Sequence, residues 1–179
     1  TEKGIVGVVA DIIKVEKKYE TAIETALGGN IQNIVTEEED TAKRMIAFLK
    51  KHKYGRATFL PLTSIRHPQE FKNQDVLKEA GVICVADKLV RIDEKYRNVA
   101  KAMLGRIVVV DDVNHALAIA KKYAYGVRMV TLEGELLVPG GAISGGAFKN
   151  NSNLLGRRRE LEELGKKVKE LSEKTESLE

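Results

Sequence analysis

The sequence has 179 residues, of which 43% are hydrophobic, 31% charged and 5% aromatic, with a formal net charge of +4 at pH 7. That is enough chain to bury one sizeable core or two small ones. No apolar run approaches the roughly 18–20 residues of a membrane span, and the opening residues do not read as a secretory leader. A single cysteine, Cys84, excludes an intrachain disulfide and a clustered Cys/His metal site. Within Val82-Ile83-Cys84-Val85 it reads as a buried strand residue. The expected compartment is the cytosol, with no cofactor and no metal. The basic balance mildly favours a polyanionic partner. Thr1 in place of Met, and an end in mid-pattern at Glu179, read as an excised piece of a longer protein.

In chain order, the β-branched run Gly7 to Ile13 predicts a strand ending near Asp11. Tyr19, Ala22, Ile23, Ala26 and Leu27 recur at helical spacing from Lys18 to Leu27, and Gly28-Gly29 stops that helix. Ile31 to Thr36 predicts a strand. Acidic residues Glu37 to Asp40 open a helix running to about Lys53 on Ala42, Met45, Ile46 and Leu49, because negative charge favours a helix N-terminus. Gly55 closes it, and Arg56 to Leu60 predicts a strand before Pro61. Thr63 to Lys78 is polar and reads as a connection with a short helix near Gln74 to Ala80.

The earlier order then returns. Val85-Ala86-Asp87 resembles Val9-Ala10-Asp11, Arg91 to Tyr96 resembles Lys14 to Tyr19, and Met103-Leu104-Gly105 resembles Ala26-Leu27-Gly28. Ile107 to Val110 predicts a strand. Ala116, Ile119, Lys121-Lys122 and Tyr125-Gly126 then match Ala42, Met45, Lys50-Lys51 and Tyr54-Gly55. Counterparts lie roughly 71 to 77 residues apart, outside the short periods of solenoids. The fold class is therefore α/β (α+β mixed), with two pseudo-repeated subdomains of mixed sheets and packed helices. The expected division is 1–62, a connection 63–80, a second subdomain 81–148, and 149–179 as a junction leading into a coiled-coil helix. The second copy continues beyond its counterpart through a turn at Glu133-Gly134-Glu135 and a strand Leu136-Leu137-Val138.

That strand delivers Pro139-Gly140-Gly141-Ala142-Ile143-Ser144-Gly145-Gly146, four glycines in seven residues. A phosphate-binding loop would need Lys-Ser/Thr where Ala147-Phe148 stand. A nucleophile elbow would need Gly-x-Ser-x-Gly, and Ala142 occupies the first position. Ser144 would also need an oriented histidine, whereas His52, His67 and His115 lie in polar surroundings. The steric reading fits better: glycines let a strand lie directly against another backbone. If copy one of a chain docks copy two of its partner, the contact is made twice and a closed two-fold dimer results.

After Ala147 the composition changes. Leu161, Leu164, Val168, Leu171, Thr175 and Leu178 are spaced 3, 4, 3, 4, 3, with Leu154 in the same phase, which is a coiled-coil seam. The alternative is a solitary amphipathic surface helix. So narrow a stripe needs a partner helix, expected to come from upstream of Thr1. Lys3, Lys149, Arg157, Arg158 and Arg159 gather where the globular body passes into that helix. They read either as a solvated helix start or as sequence-independent phosphate contacts.

Gly7 to Val15 with Tyr19-Glu20 and Ala22 to Gly28 resembles the start of the hinge domain of prokaryotic SMC (structural maintenance of chromosomes) proteins. Gly55-Arg56-Ala57-Thr58-Phe59-Leu60-Pro61-Leu62 resembles that family's central motif, and Gly134 through Gly146 its glycine signature. The resemblance runs from about Gly4 to Gly146. It implies a homodimerisation domain with Gly140, Gly141, Ala142, Ile143, Ser144, Gly145 and Gly146 at the interface, and no enzymatic activity in this fragment. It also implies a long antiparallel coiled coil leading to a distant ATP-binding head, a cytoplasmic, nucleoid-associated setting, and a role in chromosome condensation and segregation. Non-specific DNA binding would use the basic residues near the coiled-coil junction. Other condensin subunits would be met only through parts of the protein outside this sequence, and no membrane is involved.

Overall fold

The computed structural model describes residues 4–146 together with Gly165 and Val168. The chain folds as two copies of one α/β pattern. The first comprises β1 (Ile5–Val8), α1 (Val9–Ile12), β2 (Ile13–Val15), α2 (Glu20–Leu27), β3 (Ile34–Thr36), α3 (Glu39–His52) and β4 (Phe59–Pro61). The second comprises β5 (Val82–Val85), a 3-10 turn Ala86–Leu89, β6 (Val90–Ile92), α4 (Arg97–Leu104), β7 (Ile107–Val110), α5 (Val113–Lys122) and β8 (Arg128–Thr131). A further hairpin follows, β9 (Leu136–Leu137) and β10 (Ile143–Ser144).

From the first strand to the end of the second helix the copies keep one register. Ile5 corresponds to Val82, Ile13 to Val90, Glu20 to Arg97 and Leu27 to Leu104, 77 residues apart in each case. Even the irregularity in the first ladder is shared: it falls between Ile5 and Gly7 in one copy and between Val82 and Cys84 in the other. The letter match of Val9-Ala10-Asp11 with Val85-Ala86-Asp87 is one residue out of this register.

Three predicted strands differ from the structure. One is Arg56 to Leu60, which is irregular up to Thr58, with β4 starting at Phe59 and including Pro61. The run Gly7 to Ile13 breaks at Val9, where one helical turn buries Val9 at 1% exposure before β2 begins. Four residues are too few to show helical periodicity, so a β-branched run conceals the turn. Residues Gly28–Gln32 form a 3-10 turn that buries Ile31, which delays β3 to Ile34.

The sheets follow the same plan. In the first, β1 lies antiparallel to β3 and β3 parallel to β4; in the second, β5 lies antiparallel to β7 and β7 parallel to β8. The second sheet then continues through β9 and β10, giving the order β10-β9-β8-β7-β5 against β1-β3-β4. The copies are joined by β2 and β6, antiparallel, with Ile13 opposite Ile92, Lys14 opposite Arg91 and Val15 opposite Val90. Because Ile13 corresponds to Val90 and Val15 to Ile92, exchanging the copies maps this ladder onto itself. An approximate two-fold axis therefore passes between Lys14 and Arg91.

The main core lies around that axis. Val9, Ile13, Ile23, Leu27 and Val35 of the first copy pack with Val90, Val99, Leu104, Val109 and Val130 of the second. Val108, Val110, Met129 and Leu137 face the other way, against Ala116, Ile119 and Ala120 of α5 and Val76 from the connecting segment. β7 is thus apolar on both faces, which explains its uninterrupted Ile-Val-Val-Val sequence. Cys84 is half-buried on β5, and burial pushes its thiol above the ordinary range. Gly165 and Val168 are helical, and Val168 is 60% exposed. The other positions of the expected seam lie outside the described residues.

Candidate functional site

The last helix of each copy, α3 and α5, sets up the surfaces that matter. α3 carries Glu39 and Asp40 in its first turn and Lys50, Lys51 and His52 in its last, charges that match the helix dipole. α5 starts at Asp112, whose carboxylate accepts from the His115 N–H at 2.8 Å. Both helices end in a Schellman turn. Lys53 and Ala124 each take a φ of +55°; Tyr54 N–H donates to Leu49 O at 3.0 Å and Tyr125 N–H to Ala120 O at 2.7 Å. α3 therefore stops at a left-handed Lys53, ahead of Gly55. These bonds align the helix ends, Leu49 with Ala120 and Tyr54 with Tyr125, 71 residues apart. The sequence pairs the tyrosines in that way but sets Ala42 and Met45 74 residues from Ala116 and Ile119, because α3 has 14 residues and α5 has 10.

Beyond those ends the copies diverge. After β8, the turn at Gly134 (φ +94°) brings Glu135 O back to accept from Thr131 N–H at 2.9 Å, and β9 then pairs antiparallel with β8. The glycine cluster makes the next turn: Val138 N–H donates to Ala142 O at 3.1 Å, and β10 pairs with β9, Ile143 opposite Leu137 and Ser144 opposite Leu136. Gly140 (φ +102°) and Gly141 (φ +101°) occupy conformations that a side chain resists. Gly140 N–H also donates to Tyr125 O at 2.9 Å, and a Cβ at Gly141 would lie 3.7 Å from the Tyr125 ring. Glycine is thus required at these two positions by the chain's own turn. Gly145 is different: a Cβ there would come 3.2 Å from Cγ of Glu135.

Gly140, Gly141, Ala142, Ile143, Ser144, Gly145 and Gly146 form one continuous exposed segment, with Ile143 at 50% exposure on an outer strand. Among the described residues no strand pairs with the outer edge of β10, nor with that of β4. Ile34 N–H donates to Thr58 O at 2.9 Å, which turns the N–H of Phe59 outward. Pro61 stands where Thr131 donates in the other copy and has no N–H to offer. Residues 51–58, leading into β4, are exposed. They include Tyr54 at 61%, which stacks on His52 at 5.4 Å and meets Phe48 at 5.9 Å; Phe48 and Ile46 are 47% and 42% exposed. The sequence pairs Tyr54 with Tyr125 but carries no signal that a surface lies there.

The hydrolase alternative finds no geometry. Among the described residues no histidine hydrogen-bonds Ser144, and His115 Nδ1 is held by Asp111 at 2.7 Å. Asp111, Asp112 and His115 bring one ligand atom each within 4.8 Å of one another, and all three are solvent-accessible. Their contacts cap α5, and Gly81 packs so closely there that a Cβ would come within 2.5 Å of Asp111 Oδ1 and His115 Nδ1. The carboxylate raises the imidazole's pKa and the imidazole lowers the carboxylate's. Lys3, Lys149, Arg157, Arg158 and Arg159 lie outside the described residues.

The sequence profile described as SMC proteins Flexible Hinge Domain matches residues 2–120. The chromosome partition protein Smc of Bacillus subtilis is 44% identical over 98% of this chain, which spans 15% of that protein's length. Among solved structures, an asymmetric dimer of the Geobacillus stearothermophilus SMC hinge domain matches with a TM-score of 0.85 and 40% identity, covering 96% of this chain and 69% of that one. The Pyrococcus furiosus SMC hinge domain matches with a TM-score of 0.69 and 39% identity, covering 83% and 76%. The matched region is a hinge, a structural module and not a catalytic one. With its doubled α/β pattern and its profile match over most of its length, the chain belongs to the SMC hinge domain family.

Proposed function

We propose that this chain is the homodimerisation hinge of a chromosome-partitioning SMC protein, closed by strand addition between copies. β10 of one chain lies along β4 of the other, and the reciprocal contact closes a two-fold ring. The observation that carries this reading is that the corresponding ends of the two sheets, β4 and β10, are both open edges. The first sheet ends at β4, where the second continues into β9 and β10. An exposed edge invites pairing, and Phe59 keeps an outward N–H for it. The glycine segment, Gly140 to Gly146, forms the docking strand and its turns.

In this reading 1–62 and 81–148 are the two hinge subdomains, 63–80 connects them, and 149–179 leads into the arm. The dimer joins two coiled-coil arms, while nucleotide is bound and hydrolysed by distant head domains of the longer protein. Lys3, Lys149, Arg157, Arg158 and Arg159 contact DNA phosphates near the arm junction without reading sequence. Its likeness to a hinge-domain dimer and to chromosome partition proteins supports this setting. Sedimentation equilibrium tests the dimer: a mass near twice the monomer is expected, and a monomer at all concentrations contradicts it. Fluorescence anisotropy with labelled duplex tests the DNA contact. Binding at low salt that weakens on adding salt, and on Arg157→Ala/Arg158→Ala/Arg159→Ala substitution, is expected; no binding at low salt removes that part alone.

A further inference from the structure

Between β4 and β5 the chain crosses the second copy as an irregular strap, residues 66–73, tied to the body by side-chain bonds. Asn98 Nδ2 donates to Arg66 O at 3.2 Å, and Arg106 Nη1 donates to Gln69 Oε1 at 2.7 Å. A cleft of about 650 Å³ lies between this strap, the Ala86–Leu89 turn and α4. Its walls are apolar at Phe71, Leu77 and Val85 and basic at Arg66, Lys88 and Lys101; Glu70, an acid on its wall, is exposed. Asp87 is the buried exception. It lines the cleft at 4% exposure, and among the described residues no hydrogen bond or ion pair engages its carboxylate. Its backbone oxygen accepts from Arg97 Nη2 at 3.4 Å. Burying a carboxylate without a partner is costly, and the fold does not require one here. In the 77-residue register, the first copy has Ala10 in place of Asp87, Asp11 in place of Lys88 and Glu24 in place of Lys101. The buried acid and the bases around it are thus particular to the second copy.

We propose that this cleft binds a guanine nucleotide, its base donating to the Asp87 carboxylate and its phosphate meeting Arg66, Lys88 and Lys101. An ionised carboxylate accepts hydrogen bonds and cannot donate them, so its partner must be a donor. Three basic side chains on the same cleft repel a cationic donor such as an amine or a metal ion. A neutral donor joined to an anion satisfies both conditions. Guanine presents a ring N–H beside an amino group, a pair that matches the two oxygens of a carboxylate, and the phosphate supplies the anion. The flat base suits the apolar stretch at Phe71, Leu77 and Val85, and the volume is that of a small-molecule site. The site is independent of the dimer reading, since its residues include neither β4 nor the glycine segment.

Isothermal titration calorimetry with guanosine monophosphate tests this, with adenosine monophosphate, guanosine and inorganic phosphate as comparisons. Guanosine monophosphate is expected to bind at least tenfold tighter than adenosine monophosphate, which lacks the ring N–H, and than inorganic phosphate. Asp87→Ala is expected to abolish the preference for guanine and leave binding of adenosine monophosphate unchanged. Lys88→Ala/Lys101→Ala is expected to weaken guanosine monophosphate at least tenfold and leave guanosine unchanged. Because the first copy carries alanine at this place, Asp87→Ala should fold with an undiminished thermal midpoint. No binding of guanosine monophosphate at millimolar concentration overturns the proposal. Binding no tighter than that of adenosine monophosphate or inorganic phosphate also overturns it, because surface cations then hold any phosphate. A ligand-free midpoint that falls in Asp87→Ala gives the carboxylate a structural role and overturns it as well.

Discussion

His115 and Asp111 form the clearest titrating contact on the described surface. Their contact holds His115 above its ordinary value of 6.5, through the hydrogen bond first and charge second. A histidine raised on folding contributes its full stabilisation below the unfolded value and loses it as pH rises through the folded one. Asp111, lowered from 3.8 by the same bond, contributes above that value and loses its share as pH falls. The contribution of the pair is thus greatest between these limits. Urea midpoints are expected to fall modestly from pH 6 to pH 8 and to lose that slope in His115→Ala; an unchanged slope in the variant contradicts this. Among the glycines, the turn geometry divides two effects that sequence alone merges. Gly141→Val must strain a backbone at φ +101°, so faster hydrogen exchange at Val138 N–H is expected together with a weaker dimer. In Gly145→Val, where φ is ordinary and the neighbour is the Glu135 side chain outside the turn, Val138 should stay protected while the dimer weakens. Exchange that rises equally in both would show that neither acts on the interface separately.

At the scale of elements, α2 and α4 illustrate how the doubled pattern is held together. Leu27 and Leu104 occupy equivalent positions at their ends, and both lie in the one core that straddles the β2–β6 ladder. Truncating either to Ala is expected to cost about 2–5 kcal/mol. Because the core is shared, the two copies should unfold together. A single calorimetric transition, shifted as a unit by Leu27→Ala, is expected; separate transitions for the two halves would contradict it. The connecting segment is tied down by Val76, which is fully buried, and by Glu79, which accepts from Lys122 at 2.6 Å and from the Tyr123 hydroxyl at 2.9 Å. The repeat was legible because Tyr19 and Tyr96, Leu27 and Leu104, and Tyr54 and Tyr125 fall at related places in the chain. The helical turn at Val9–Ile12 was not, since tertiary burial of Val9 overrides a strand-like run. The β10 arm was not either: Ile143-Ser144 is too short to show alternation, and pairing with β9 alone makes it a strand. Ile46 and Tyr54 sit on an ordinary amphipathic helix and its exit, where sequence spacing does not show that they stay exposed.

For the whole molecule, the asymmetry between the copies is what carries function. Beyond β8 one half carries an added hairpin, whereas the sheet of the other half ends at β4. In the proposed dimer, one chain presents both sides of the contact, β10 at the end of one sheet and β4 at the corresponding end of the other. Charge runs the same way, basic at the end of α3 and acidic at the hairpin, so added salt should weaken association by slowing the encounter. The most direct measurement is sedimentation equilibrium of the 179-residue chain and its Phe59→Pro variant. A dimer for the first and a folded monomer for the second are expected. A monomer for the unsubstituted chain, or a variant dimer of undiminished affinity, would contradict the account.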